Sequence, residues 1–124
     1  MTGETERDAL YLRHMQECIE RIEEYVGGSE ARFKESRLVQ DATIRNLQTL
    51  AESSQRLSEA LRDIAPDVPW RAIAGLRNIL VHEYLGVDLD AVWRIVAGDL
   101  PALRAALERL KRLHRQRRAP PTER

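Results

Sequence analysis

Residues 77 to 84 read RNILVHEY, which places Arg77, Asn78, His82 and Tyr84 within eight positions of an otherwise apolar helical stretch. Those residue types suit a phosphodiester. An imidazole titrating near neutrality can take the proton from an RNA 2′-hydroxyl or return one to a leaving 5′-oxygen, and no metal is required when the nucleophile belongs to the substrate. The fixed fork of donors on an arginine grips non-bridging phosphate oxygens and offsets the charge that builds in the transition state. The Asn78 amide, one turn before His82, could orient the imidazole or contact phosphate. Arg77 and His82 are five residues apart, about 140° around a regular helix, and do not converge on one target from a single helix. Across a two-fold axis they can, because an isologous interface brings two copies of each into one cleft. Tyr84, seven residues from Arg77, nearly eclipses it.

The same residues also fit an ordinary bundle, with the arginine paired to a carboxylate, the histidine bonded to a carbonyl and the tyrosine hydroxyl at the surface. R-x4-H alone does not decide between the two. Elsewhere, Arg45 and Asn46 form a second polar insertion in a helical seam, which suits buried bonding between helices better than substrate contact. Trp70 and Trp93 read as core anchors, His14 and His114 as surface residues, and Glu83 as a solvated charge.

With 124 residues, 43% hydrophobic and 32% charged, the chain is long enough for one domain with a real core and too short for two. We expect a single helical domain over 1–114 and a basic, disordered tail over 115–124. MTGETERDALYLRH has neither the charge nor the apolar run of a signal peptide, and no membrane-length apolar segment occurs, so a cytoplasmic location is expected. Cys18, the only cysteine, cannot form an internal disulfide and falls in an apolar stripe. His14, His82 and His114 are too scattered to predict a metal site. Net charge is zero, but residues 1–69 sum to −5 (nine basic, fourteen acidic) and residues 70–124 to +5 (eleven basic, six acidic). The run RLKRLHRQRR could attract a polyanion, or could simply complement the dipole at the end of the last helix.

Strand signals are nearly absent and helical periodicity dominates. Tyr11, Met15, Cys18, Ile19, Ile22 and Val26 predict a helix over about 5–26, stopped by Gly27-Gly28. A turn, SEARFKES, follows with Ser29 as a cap. One long seam of Val39, Thr43, Leu47, Leu50, Ser54, Leu57, Leu61 and Ile64 predicts a helix over about 36–64. Asp67 and Pro69 open a third helix, whose core face includes Trp70, Ile73, Ala74, Val81 and Leu85 and which Gly86 ends. Asp88 caps a fourth, Gly98 closes it, and Asp99 with Pro101 opens a fifth along Leu103, Leu107, Leu110 and Leu113. The expected architecture is all-α: an up-and-down antiparallel bundle of about five helices.

RNILVHEY, preceded by Trp70, Gly75, Leu76, Arg77 and Asn78 in a W-x4-GLRN pattern and followed by GVDLDAVWRIVAGDLPALRAAL, resembles the HepT family of HEPN-domain ribonuclease toxins. The early Tyr11 helix, the Phe33 turn and ATIRNLQTLAES occur in that family's order, although AES stands where a G-E-A-like stretch is expected. The resemblance implies a HEPN-like bundle that forms a homodimer, with metal-independent RNA cleavage and no cofactor in the shared cleft. By motif, Arg77 and His82 match the catalytic pair and Asn78 the supporting polar residue. Tyr84 matches the tyrosine that a partner antitoxin, a minimal nucleotidyltransferase of the MntA type, modifies with AMP. The alternative is a non-catalytic HEPN module that binds such a transferase or a nucleotide.

Overall fold

The Tyr11–Val26 seam forms one helix, α1 (Gly3–Val26), and it stops where the two glycines stand. Gly27 and Gly28 take φ of 56° and 70°, left-handed conformations that a Cβ makes costly, and the Gly27 N–H closes on the Glu23 carbonyl. The computed structural model describes the backbone of residues 3–82 and 88–118 and the side chains of residues 3–77 and 88–117.

The stretch expected as a turn is a short helix, α2 (Glu30–Glu35). Six residues do not hold a helix alone. Two features hold this one: the Ser29 Oγ accepts from the Arg32 N–H at 3.1 Å, and Phe33 is fully buried, which is worth about 1.5–3 kcal/mol. Phe33 also packs against the ring of Trp93, centroids 5.7 Å apart.

The single helix expected over 36–64 is in fact two, α3 (Arg37–Gln55) and α4 (Glu59–Asp63). Serine breaks it. The buried Ser54 Oγ donates back to the Ala51 carbonyl, the Arg56 N–H closes α3 on Ser53 and Ser54, and Ser58 becomes an extended N-cap whose Oγ accepts from the Leu61 N–H at 3.1 Å. The buried Asp8 carboxylate secures that break from α1, accepting from the Ser58 N–H at 2.8 Å and the Ser58 Oγ at 2.7 Å. Ile64, expected in the seam, is consequently exposed.

Helix α5 (Trp70–His82) packs on α3, and α3 on α1. Asp67 does not cap α5 as expected; its carboxylate takes Arg109 of the last helix. Gly98 does not close a helix either. α6 (Leu89–Arg94) passes through a π-helical turn, Ile95–Asp99, into α7 (Leu100–Arg118), with helical dihedrals at both joints. Pro101 explains the widened turn: it lacks an N–H, and in a regular α-helix its ring would clash with the carbonyl four residues back. α7 also runs to Arg118, so residues 115–118 are helical where a tail was expected.

α7 lies antiparallel along α1, and a ladder of polar contacts fixes the register. Arg104 meets Glu23, Lys111 donates to the Gln16 amide oxygen, and Arg117 meets Asp8 at 3.0 Å. The core between the helices holds Met15, Ile19, Ile22, Phe33, Leu47, Leu50, Leu61 and Leu110, all essentially inaccessible. Cys18 lies in the same core, and burial pushes its thiol pKa up, against a smaller opposing influence of Arg21. No strand occurs among the described residues, and none of their helices is long and apolar enough to cross a membrane. The architecture is an all-α, HEPN-like bundle.

Candidate functional site

Helix α5 carries the candidate residues because its periodicity separates an anchored face from a free one. Ile73 and Leu76 are buried, at 4% and 8% exposure, and hold the helix against the bundle. At its start the Trp70 indole donates to the Ala65 carbonyl at 3.0 Å, tying the first turn to the α4–α5 connection. The Pro69 carbonyl accepts the first helical bond, from Ile73.

Arg77, one residue past Leu76, leaves that buried face and is exposed. No hydrogen bond or ion pair engages it among the described residues. Helix α5 itself contains no acidic residue, so Arg71 and Arg77 both present positive charge without a counter-ion on their own helix. A solvated guanidinium with no carboxylate to neutralise it can accept an anionic ligand without first breaking an internal pair.

His82 is the last residue of α5 and Asn78 lies one turn before it on the same helix. Their side chains, and Tyr84, lie outside the described residues. Beside α5, Ala72, Ile73 and Leu76 form one wall of an apolar groove of about 230 Å³, with Ile95, Leu100 and Leu103 opposite. No sequence pattern announced it, since its walls come from α5, the π-helical turn and α7.

The other polar candidates resolve differently from expectation. Asn46 is buried, but its amide donates to the Ala42 carbonyl one turn back in α3, at 2.8 Å, and makes no bond to another helix among the described residues; Arg45 is exposed. His114, expected at the surface, is 3% exposed, with its Nδ1 at 3.3 Å from the Arg117 guanidinium. His14 is half-buried and meets the edge of Tyr11.

Comparison with known proteins adds the family to this geometry. Residues 15–110 match the Ribonuclease HepT-like family, a span that includes all of α5 and the RN-x3-H-x-Y motif. A Methanocaldococcus jannaschii protein, whose name pairs gamma-glutamylcyclotransferase with an inferred RNase, is 38% identical over 96 residues, covering 77% of this chain and 43% of its own. The chain therefore spans less than half the length of that relative. A Thermococcus cleftensis protein named probable ribonuclease HepT is 34% identical over 105 residues, covering 82% of this chain and 94% of its own. No solved structure matches. By the extent of that match, the chain belongs to the HepT-like ribonuclease family.

Proposed function

We propose that the chain is the toxin of a toxin–antitoxin pair, a metal-independent endoribonuclease whose cleft is built from Arg77 and His82 of two protomers. The observation that carries this reading is the family match across 15–110, which contains the RN-x3-H-x-Y block within it. The exposed Arg77, on a helix free of acidic residues, is what a phosphate-gripping role requires. In the proposed reaction the 2′-oxygen attacks the adjacent phosphorus as His82 takes its proton. The bond to the 5′-oxygen breaks, that oxygen receives a proton from the second His82 across the axis, and the products are a 2′,3′-cyclic phosphate and a 5′-hydroxyl. Asn78 orients the imidazole.

Purified protein incubated with total RNA in EDTA tests the activity. The expected result is cleavage with cyclic-phosphate ends at a rate insensitive to the chelator. Intact RNA, or cleavage that EDTA abolishes, would refute it.

Control of the toxin is proposed to act at Tyr84. Its oxygen attacks the α-phosphorus of ATP in a partner nucleotidyltransferase of the MntA type and pyrophosphate leaves, so AMP is added. The added negative charge and bulk would exclude RNA. After co-expression with such a transferase, a peptide containing Tyr84 is expected to gain one or more AMP masses. An unmodified Tyr84 in a fully neutralised pair would sink the switch.

A further inference from the structure

The positive charge of α7 is not evenly available. Over Leu100–Arg118 the helix has seven lysines and arginines against a single acid, Glu108. Three of the seven are neutralised: Arg104 by Glu23, Arg109 by Asp67 and Arg117 by the buried Asp8. Complementing the helix dipole does not account for Lys111 and Arg112, because that effect fades beyond the last turn and both lie further back. Lys111 donates only to a neutral amide, Gln16, and Arg112 and Arg115 are exposed with no ion pair among the described residues.

These cations meet a groove. Lys111, His114 and Arg115 from α7 face Leu12, Arg13 and Gln16 from α1 across about 260 Å³. None of the residues lining it is acidic. Glu20 holds the Gln16 amide nitrogen at 3.1 Å and so turns the amide oxygen toward Lys111, while Arg117 covers the carboxylate of Asp8 behind the groove. The volume equals the liquid share of roughly nine waters, enough for a phosphate with its sugar. Lys111 and Arg115 lie eight and twelve residues beyond Leu103, which borders α5, so the groove is about 12–18 Å further along α7.

We propose that the α1–α7 groove is a second RNA-binding site, in which Arg13, Lys111 and Arg115 hold a backbone phosphodiester of the strand away from the bond to be cut. This rests on the ribonuclease reading for the identity of the polyanion, and on the charge accounting for the site. Its consequence is affinity for longer strands without base preference, since contacts to phosphate carry no sequence information.

Binding is measured by fluorescence anisotropy with a labelled 2′-O-methyl RNA of about twenty nucleotides, long enough to reach from α5 to the groove. That RNA lacks the nucleophile, so binding is read independently of cleavage. The double variant Arg13→Gln/Arg115→Gln is expected to bind about tenfold more weakly at low salt and to lower the slope of log K against log salt by about 1.4, two single-strand contacts. The exposed pair Arg37→Gln/Arg56→Gln, at the first residue and the C-cap of α3, removes the same charge elsewhere and is expected to shift affinity less than twofold. Arg115→Gln alone, expected near threefold, serves if the double variant loses its circular dichroism. Equal binding by parent and groove variant, an equal loss in the α3 control, or no binding by the parent would each overturn the site. A parent that binds through the groove yet never cuts 2′-hydroxyl RNA keeps the site and removes the ribonuclease reading; the reverse pattern keeps the nuclease and removes the site.

Discussion

Replacing His82 by alanine is expected to slow RNA cleavage about 10²–10⁴-fold, the range that positioned proton transfer contributes. If both transfers depend on two copies of His82 in one cleft, the loss lies at the upper end, since each protomer of the variant is defective. Thermal stability is expected to stay near that of the parent, because His82 closes α5 and the anchoring of that helix comes from Ile73 and Leu76 nearer its middle. A large fall in melting temperature with full activity per folded molecule would assign His82 to packing instead. Arg77→Lys is expected to lose most of the activity as well, although it keeps the charge. A lysine is a point charge, whereas two phosphate oxygens call for a planar fork. A lysine variant as fast as the parent would end the phosphate-gripping role of Arg77.

The two halves of this picture were not equally readable from the chain. The end of α1 was readable because Gly27-Gly28 states it locally, in a backbone conformation few residues adopt. The break between α3 and α4 was not, because Leu57 and Leu61 keep the apolar period while the groups that cut the helix are serines, which disturb no period. Its anchor is Asp8, fifty residues away in sequence. The continuity of α6 into α7 was hidden by Gly98 and Pro101, ordinary stop and start signals that a π-helical turn absorbs. Two further signals were present and unread. Asp8 continues the Leu12, Met15, Ile19 seam, and His114 continues the Leu103, Leu107, Leu110 seam, so each places a polar group where the helix turns inward. Both meet Arg117, Asp8 from α1 and His114 from within α7. The candidate site was readable as residue types and, through the family pattern, as roles. The convergence proposed for Arg77 and His82 lies beyond a single chain, because the two share one helix at a spacing of about 140° around its axis.

Asp8→Ala is expected to be the most destabilising single change outside the apolar core, by about 2–3 kcal/mol, or a melting temperature lower by on the order of 10 °C. The carboxylate is fully buried and accepts three hydrogen bonds: from the Ser58 N–H, from the Ser58 Oγ and from Arg117. Its removal leaves the part-buried Ser58 backbone N–H without its partner, which costs more than the bond itself was worth. Arg117 moderates the loss. Its side chain is 27% exposed and can turn back to water, so the penalty stays below that of stranding a fully buried charge. Asp8→Asn retains an acceptor for Ser58 and gives up the ion pair, and should fall between parent and Asp8→Ala; Arg117→Gln should cost least of the three. That order follows from where each partner can go when abandoned. Chemical denaturation of the four proteins checks it, and an Asp8→Ala protein within 2 °C of the parent on the melting scale of a domain this size would mean that the α3–α4 break holds without its anchor. Because that break sets the path of the chain into α5, the alanine variant should also lose RNA cleavage at temperatures below its own unfolding, by loosening the helix that presents Arg77.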